Sequence, residues 1–205
     1  MSAEDLDGLD VSRETLARLR AYADLIRRWN PKINLVAPST IPDLWQRHIV
    51  DSAQLFAHAP RDAQHWVDIG SGGGLPGLVC AILAQEVMPE CRFTLIESDQ
   101  RKSAFLMTAA RELGLAVTVL AKRVEAVAPQ QADIVSARAL APLNLLLAMV
   151  ARHMRPEGVA LLPKGKTYEQ ELAAARAEWQ FNATSIESRT DNLARLLIVK
   201  DIIRG

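Results

Sequence analysis

Cysteine is nearly missing from these 205 residues: Cys80 and Cys91 are the two present, and neither belongs to a Cys-x-x-Cys pair. A disulfide framework is therefore excluded and a thiolate metal knuckle is not expected. The four histidines, His48, His58, His65 and His153, are scattered without paired spacing, so no metal site is expected either. Long apolar runs are also lacking. Leu140 to Ala151, the most apolar stretch, is broken by Asn144 and falls short of the roughly 20 residues a membrane helix needs. No charged-then-apolar leader opens the chain, which makes the cytoplasm the expected location. Net charge is absent as well, since 24 basic residues balance 24 acidic ones, so attraction to a polyanion requires a local patch. What remains is a chain that is 49% hydrophobic and 23% charged, enough to bury one core and solvate its surface.

Two segments open the chain. Leu16, Leu19, Tyr22, Ile26 and Trp29 fall at helical spacing between Ser12 and Asn30, with Pro31 and Asn34 as the stop. Thr40, Pro42 and Asp43 announce a second helix, running to about His58 and burying Leu44, Ile49 and Leu55. After Pro60 the pattern becomes short apolar runs alternating with helical stretches. Trp66 to Ile69, Phe93 to Ile96, Val117 to Leu120, Ile134 to Ser136 and Val159 to Leu162 read as strands. Leu78 to Gln85, Gln100 to Leu113, Leu143 to His153 and Tyr168 to Trp179 read as helices. Arg195 to Lys200 is a further strand that could close an antiparallel edge. The expected fold is α/β, a doubly wound, seven-stranded, mostly parallel sheet of the Rossmann-like type. An N-terminal helical element, residues 1–60, packs on a domain of residues 61–205 in one compact unit.

Glycine is concentrated. Gly70, Gly72, Gly73, Gly74 and Gly77 follow the first strand directly and precede a helix. A tight turn needs one or two glycines; five suggest a backbone that approaches a ligand at the strand ends. Gly72-x-Gly74-x-x-Gly77 formally meets the dinucleotide fingerprint, and Glu97 follows where a carboxylate takes ribose hydroxyls, which leaves a nicotinamide-dependent oxidoreductase open. Pro76 favours a ligand without phosphate, because it supplies no N–H at the opening helix.

The segment Val67-Asp68-Ile69-Gly70-Ser71-Gly72-Gly73-Gly74-Leu75-Pro76-Gly77 resembles the first motif of class I S-adenosylmethionine-dependent methyltransferases. The chain is more narrowly similar to the bacterial 16S ribosomal RNA guanine-N7 methyltransferases, the glucose-inhibited division protein B family. Trp29-Asn30-Pro31-Lys32-Ile33-Asn34-Leu35, Arg47-His48-Ile49-Val50-Asp51-Ser52, Leu95-Ile96-Glu97-Ser98, Arg123-Val124-Glu125, Ser136-Ala137-Arg138-Ala139 and Leu162-Pro163-Lys164-Gly165 carry that likeness. It extends from about residue 20 to the C-terminus. One departure is Gln100-Arg101-Lys102, where the family often has a lysine pair.

The resemblance implies S-adenosylmethionine lying over Gly70, Gly72 and Leu75, with Glu97 on the ribose and Val124 and Glu125 beside the adenine. Asp68 would order the loop and Arg138 would lie near the reactive end. The implied target is N7 of guanine 527 in 16S RNA, as naked RNA or in the small subunit. Guanine N7 holds an in-plane lone pair and no proton at neutral pH, so no general base is expected and positioning dominates; Arg138, Arg123 and Lys164 are its candidates. The deep groove of A-form RNA hides N7, so the target should be unpaired or flipped out. His48, Lys102, Arg123, Lys164, Lys166 and Arg195 are the candidate RNA contacts, and a monomer is favoured. Ser136-Ala137-Arg138-Ala139 lacks the Pro-Pro-aromatic run used on exocyclic amines, and neither cysteine is placed as a nucleophile for carbon methylation. A ribosome-associated binding protein without chemistry is the third reading.

Overall fold

The computed structural model describes Leu6 and residues 8–205. Seven strands form one sheet: β1 (His65–Ile69), β2 (Arg92–Ile96), β3 (Val117–Leu120), β4 (Ala132–Ser136), β5 (Met154–Lys164), β6 (Trp179–Glu187) and β7 (Arg195–Arg204). Their order is β3-β2-β1-β4-β5-β7-β6, with β7 antiparallel to β5 and β6 and the other pairs parallel. Helices α3 (Gly77–Val87), α4 (Gln100–Glu112), α5 (Leu143–His153) and α6 (Tyr168–Arg176) connect them. The doubly wound reading is therefore correct. The order reverses between β1 and β4, so their carboxyl ends open a crevice, where ligands of such sheets bind.

Both faces of the central strands are covered, which explains their unbroken apolar runs. Trp66 and Ile69 of β1 are fully buried, on opposite sides of the sheet and in two separate hydrophobic clusters. Helix α1 (Arg13–Ile33) is capped by Ser12, whose Oγ accepts from the Thr15 amide, and it buries Leu19, Tyr22 and Ile26. It packs on α3 and α4.

Three sequence expectations need correction. Pro31 does not end α1; the helix runs to Ile33, because Pro31 and Arg27 are both exposed and water can satisfy the carbonyl that proline leaves free. Asn34, with φ of 48°, is the actual stop. Thr40 does not cap a helix to His58. A 3₁₀ turn (Pro38–Thr40) is followed by a π-helical stretch (Trp45–Val50) and then α2 (Asp51–Ala57). The Thr40 hydroxyl donates to the Ala37 carbonyl at 2.7 Å instead. Leu44, Ile49 and Leu55 are nevertheless buried. Finally, α6 stops at Arg176, and Trp179 begins β6, a strand absent from the sequence reading. The last strand therefore does not lie at the edge. Leu196, Leu197 and Val199 make β7 the more apolar of the pair, and it takes the inner position.

Candidate active site

The glycine loop lies at the sheet's reversal point. Gly70, Gly72 and Gly74 have φ of 65°, 56° and 85°, a region side chains with a Cβ avoid. At Gly77 the reason is proximity: a Cβ there would lie 2.5 Å from Leu95 Cδ2 and 2.7 Å from Asp68 Oδ2. The loop is tied from several directions. The Gly70 and Ser71 amides donate to the Ile96 carbonyl at 2.8 and 3.1 Å, and the Ser71 hydroxyl donates to the Asp68 carbonyl. From α1, the fully buried Tyr22 hydroxyl donates to the Gly73 carbonyl, and Leu35 packs against Gly73. Sequence reading took Tyr22 only as an apolar helix position.

Asp68 sits beneath this loop, wholly buried. In-register pairing brings it beside Ser136, whose Oγ donates to Oδ1 at 2.7 Å and itself accepts from Trp66 Nε1 at 2.9 Å. Burial pushes its carboxyl from 3.8 up to about 6, against the opposing pull of the Ser136 and Ser71 hydroxyls, the Gly77 amide and the Arg138 charge. Glu97, at the end of β2, is also buried. Its Oε2 accepts from the Gly72 amide and its Oε1 from the Asp99 amide, both at 2.7 Å. It thereby joins the loops after β1 and β2, with lone pairs left for ligand hydroxyls.

A cavity of about 470 Å³ lies over these groups. Gly70, Gly72, Leu75, Glu97, Lys102, Arg123, Val124, Glu125 and Arg138 line it. Lys122, Leu140 and Met149 also line it, with nothing in their local sequence to mark them. The turn carrying Val124 is held from α5: the fully buried His153 Nε2–H faces the Val124 carbonyl at 3.1 Å, and Arg152 donates to the Val127 carbonyl.

A second cavity, about 1230 Å³, shares Leu35, Arg138, Ala139 and Leu140 with the first. Arg138 stands at the junction, its side chain 20% exposed, contacting His48 Nδ1 at 3.1 Å and Asp51 Oδ2 at 3.4 Å. Leu140 leans on Gly70, and Ala139 holds a φ of 53°, a strained value for a residue with a Cβ.

The candidate cations separate into four settings. Lys102 and Arg123 line the first cavity, and Arg123 is exposed. Lys164 lines the second, but its Nζ donates to Glu171 Oε2 at 2.8 Å and the Ala141 carbonyl at 3.0 Å, leaving the side chain 9% exposed. Glu171 Oε2 also accepts from the Leu143 amide, so Lys164 belongs to a clamp on the 139–143 segment. Lys166 is exposed, one residue beyond the Gly165 that lines the second cavity. Arg195 donates to the Asn192 and Ala194 carbonyls and lies over the Tyr168 ring. Among the described residues, no group of three metal-ligating side chains assembles and no helix is long and apolar enough to cross a membrane.

This arrangement suits a ribose-bearing ligand without phosphate: a carboxylate between two loops, a floor without Cβ atoms and no N–H at Pro76. Residues 15–196 match the family model described as rRNA small subunit methyltransferase G. The chain is 50% identical over 204 residues to a ribosomal RNA small subunit methyltransferase G of Ruegeria pomeroyi, covering 100% of each chain. It is 54% identical over 194 residues to the protein of that name from Cereibacter sphaeroides, covering 95% of this chain and 93% of that one. Its fold is that of a TehB-like SAM-dependent methyltransferase from Corynebacterium glutamicum, with a TM-score of 0.56 at 16% identity over 90% of this chain and 98% of that one.

Proposed function

Because the chain belongs to the rRNA small subunit methyltransferase G family, we propose that its two joined cavities are the cofactor and target-nucleotide sites of one reaction. The protein is an S-adenosylmethionine-dependent methyltransferase of 16S ribosomal RNA. The observation that carries the finer reading is their adjacency: the glycine-floored cavity and a larger one, with room for an extruded nucleotide, share Arg138 and three other lining residues.

Gly70, Gly72, Leu75, Glu97, Val124 and Glu125 would hold the cofactor, with Glu97 accepting from ribose hydroxyls and Asp68 supporting the loop from below. When bound, S-adenosylmethionine would supply an electrophilic sulfonium methyl group and leave as S-adenosylhomocysteine; guanine N7 offers an in-plane lone pair and no proton, so this chain need not supply a general base. The protein's task is therefore orientation, which lowers barriers by about 7–11 kcal/mol in well-aligned systems. Arg138 directs the target between the cavities. Lys164 keeps the 139–143 segment in place through Ala141 and Glu171, and Arg123 and Lys102 meet the RNA backbone at the mouth of the first cavity. Lys166 and Arg195 extend the basic face, and His48 contributes through Arg138. The target is guanine 527, presented unpaired by the small subunit, and the enzyme works in the cytoplasm as a monomer.

The test is transfer of labelled methyl groups to small subunits from a strain lacking the modification, mapped by primer extension. Incorporation at N7 of one guanine is expected. Methylation of an exocyclic amine, or no incorporation by folded, cofactor-bound protein, overturns the reading.

A further inference from the structure

Arg138 is held by a chain of hydrogen bonds whose direction can be worked out atom by atom. Its guanidinium can only donate, so His48 Nδ1, 3.1 Å from Nη1, must accept and carry no proton. The imidazole proton is then on Nε2, which faces Thr40 Oγ1 at 2.7 Å. Thr40 in turn sends its hydroxyl proton to the Ala37 carbonyl at 2.7 Å. One proton of Arg138 Nη1, the His48 Nε2–H and the Thr40 hydroxyl each find one acceptor along this series, which ends on backbone. The opposite tautomer would set two N–H groups against each other at the Arg138 contact.

The same Nη1 also donates to Asp51 Oδ2 at 3.4 Å. That carboxylate is itself fixed, because Oδ1 accepts from Gln54 Nε2 and Thr190 Oγ1, both at 2.8 Å. Nη1 is thus held by two side chains of one continuous segment, His48 of the π-helical stretch and Asp51 just after it, while Thr190, in the loop before β7, fixes the Asp51 carboxylate. Burial, then the Arg138 and Arg47 charges, hold the imidazole well below its ordinary range, at about 4. It stays neutral where the enzyme works. π-Helical turns recur at functional sites, and this one places His48 on the wall of the second cavity.

We infer that His48 is a positioning residue, a neutral imidazole protonated on Nε2 that accepts from Arg138 and fixes the guanidinium at the junction of the two cavities. This rests on the reading of the second cavity as the target-nucleotide site. His48 acts on methyl transfer through Arg138, and Thr40 acts through His48.

Three measurements on the full chain test it. Nitrogen NMR of histidine-labelled protein at neutral pH should show His48 as the Nε2–H tautomer. His48→Leu, which removes the acceptor, should slow single-turnover methyl transfer to unmodified small subunits by roughly 10 to 100-fold, the scale of small misplacements at reacting centres. His48→Asn, whose amide oxygen can replace Nδ1 as acceptor, should recover most of that rate. Thr40→Val should show a smaller loss in the same direction and serves if His48→Leu does not fold. Calorimetry with S-adenosylhomocysteine should give unchanged affinity throughout. An Nδ1–H or cationic His48, an undiminished rate in His48→Leu, or an Asn variant as slow as the Leu variant overturns the inference. A wild-type protein that folds, binds the cofactor product and transfers no methyl group overturns the functional reading instead, and the tautomer then decides the inference alone.

Discussion

Replacing Asp68 with asparagine should remove a specific pH dependence of stability. The wholly buried carboxyl is raised from 3.8 to about 6 by desolvation, so between those values the folded protein binds its proton and the unfolded chain releases it. Stability contributed by this site therefore falls as pH rises through that window, and the penalty is complete above about 6. The difference, 6 − 3.8 = 2.2, corresponds at 1.36 kcal/mol per unit to roughly 3 kcal/mol. At pH 7 the Asn variant escapes that penalty but turns an amide nitrogen toward the Gly77 region, which offers an N–H of its own; the mismatch costs about 1–3 kcal/mol. The two effects nearly cancel at neutral pH, which makes the slope the useful readout. Urea unfolding of both proteins from pH 4 to 7 should show the variant gaining about 2–3 kcal/mol relative to wild type as pH rises. Subtracting the two curves cancels the lowered histidines, including His48, whose own contribution has the opposite sign. A difference curve that stays level across this range would refute the assignment of a buried, proton-holding Asp68.

Two further outcomes follow from the loop and the cations. Tyr22→Phe leaves the Gly73 carbonyl buried without its donor and should cost about 1–3 kcal/mol in thermal unfolding, with weaker S-adenosylhomocysteine binding by calorimetry; unchanged affinity would mean the hydroxyl does not organise the loop. Arg123→Ala should weaken RNA binding in filter assays, with a salt slope shallower by about 0.7–0.9 per lost phosphate contact. Cofactor affinity should fall less; equal losses would assign Arg123 to the cofactor wall alone.

The central strands were legible because burial on both faces removes any need for polar alternation, as in Trp66-Val67 and Leu95-Ile96. The β6 strand was not, since helical residues up to Arg176 run without punctuation toward Trp179 and the edge strand mixes exposed with half-buried positions. The π-helical stretch escaped for a different reason. Thr40, Pro42 and Asp43 carry a sound local helix-start signal, but the hydroxyl found partners in Ala37 and His48. Lys164 similarly reads as a free cation until Glu171, on α6, closes on it.

Sequence alone was enough for the central strands, the glycine loop and the family resemblance, because strand burial, backbone conformation and short motifs are local properties. Folding decided what Asp68, Arg138, His48 and Lys164 do. Their behaviour depends on desolvation and on partners such as Asp51 and His48, which lie 87 and 90 residues from Arg138 along the chain and beside it in space.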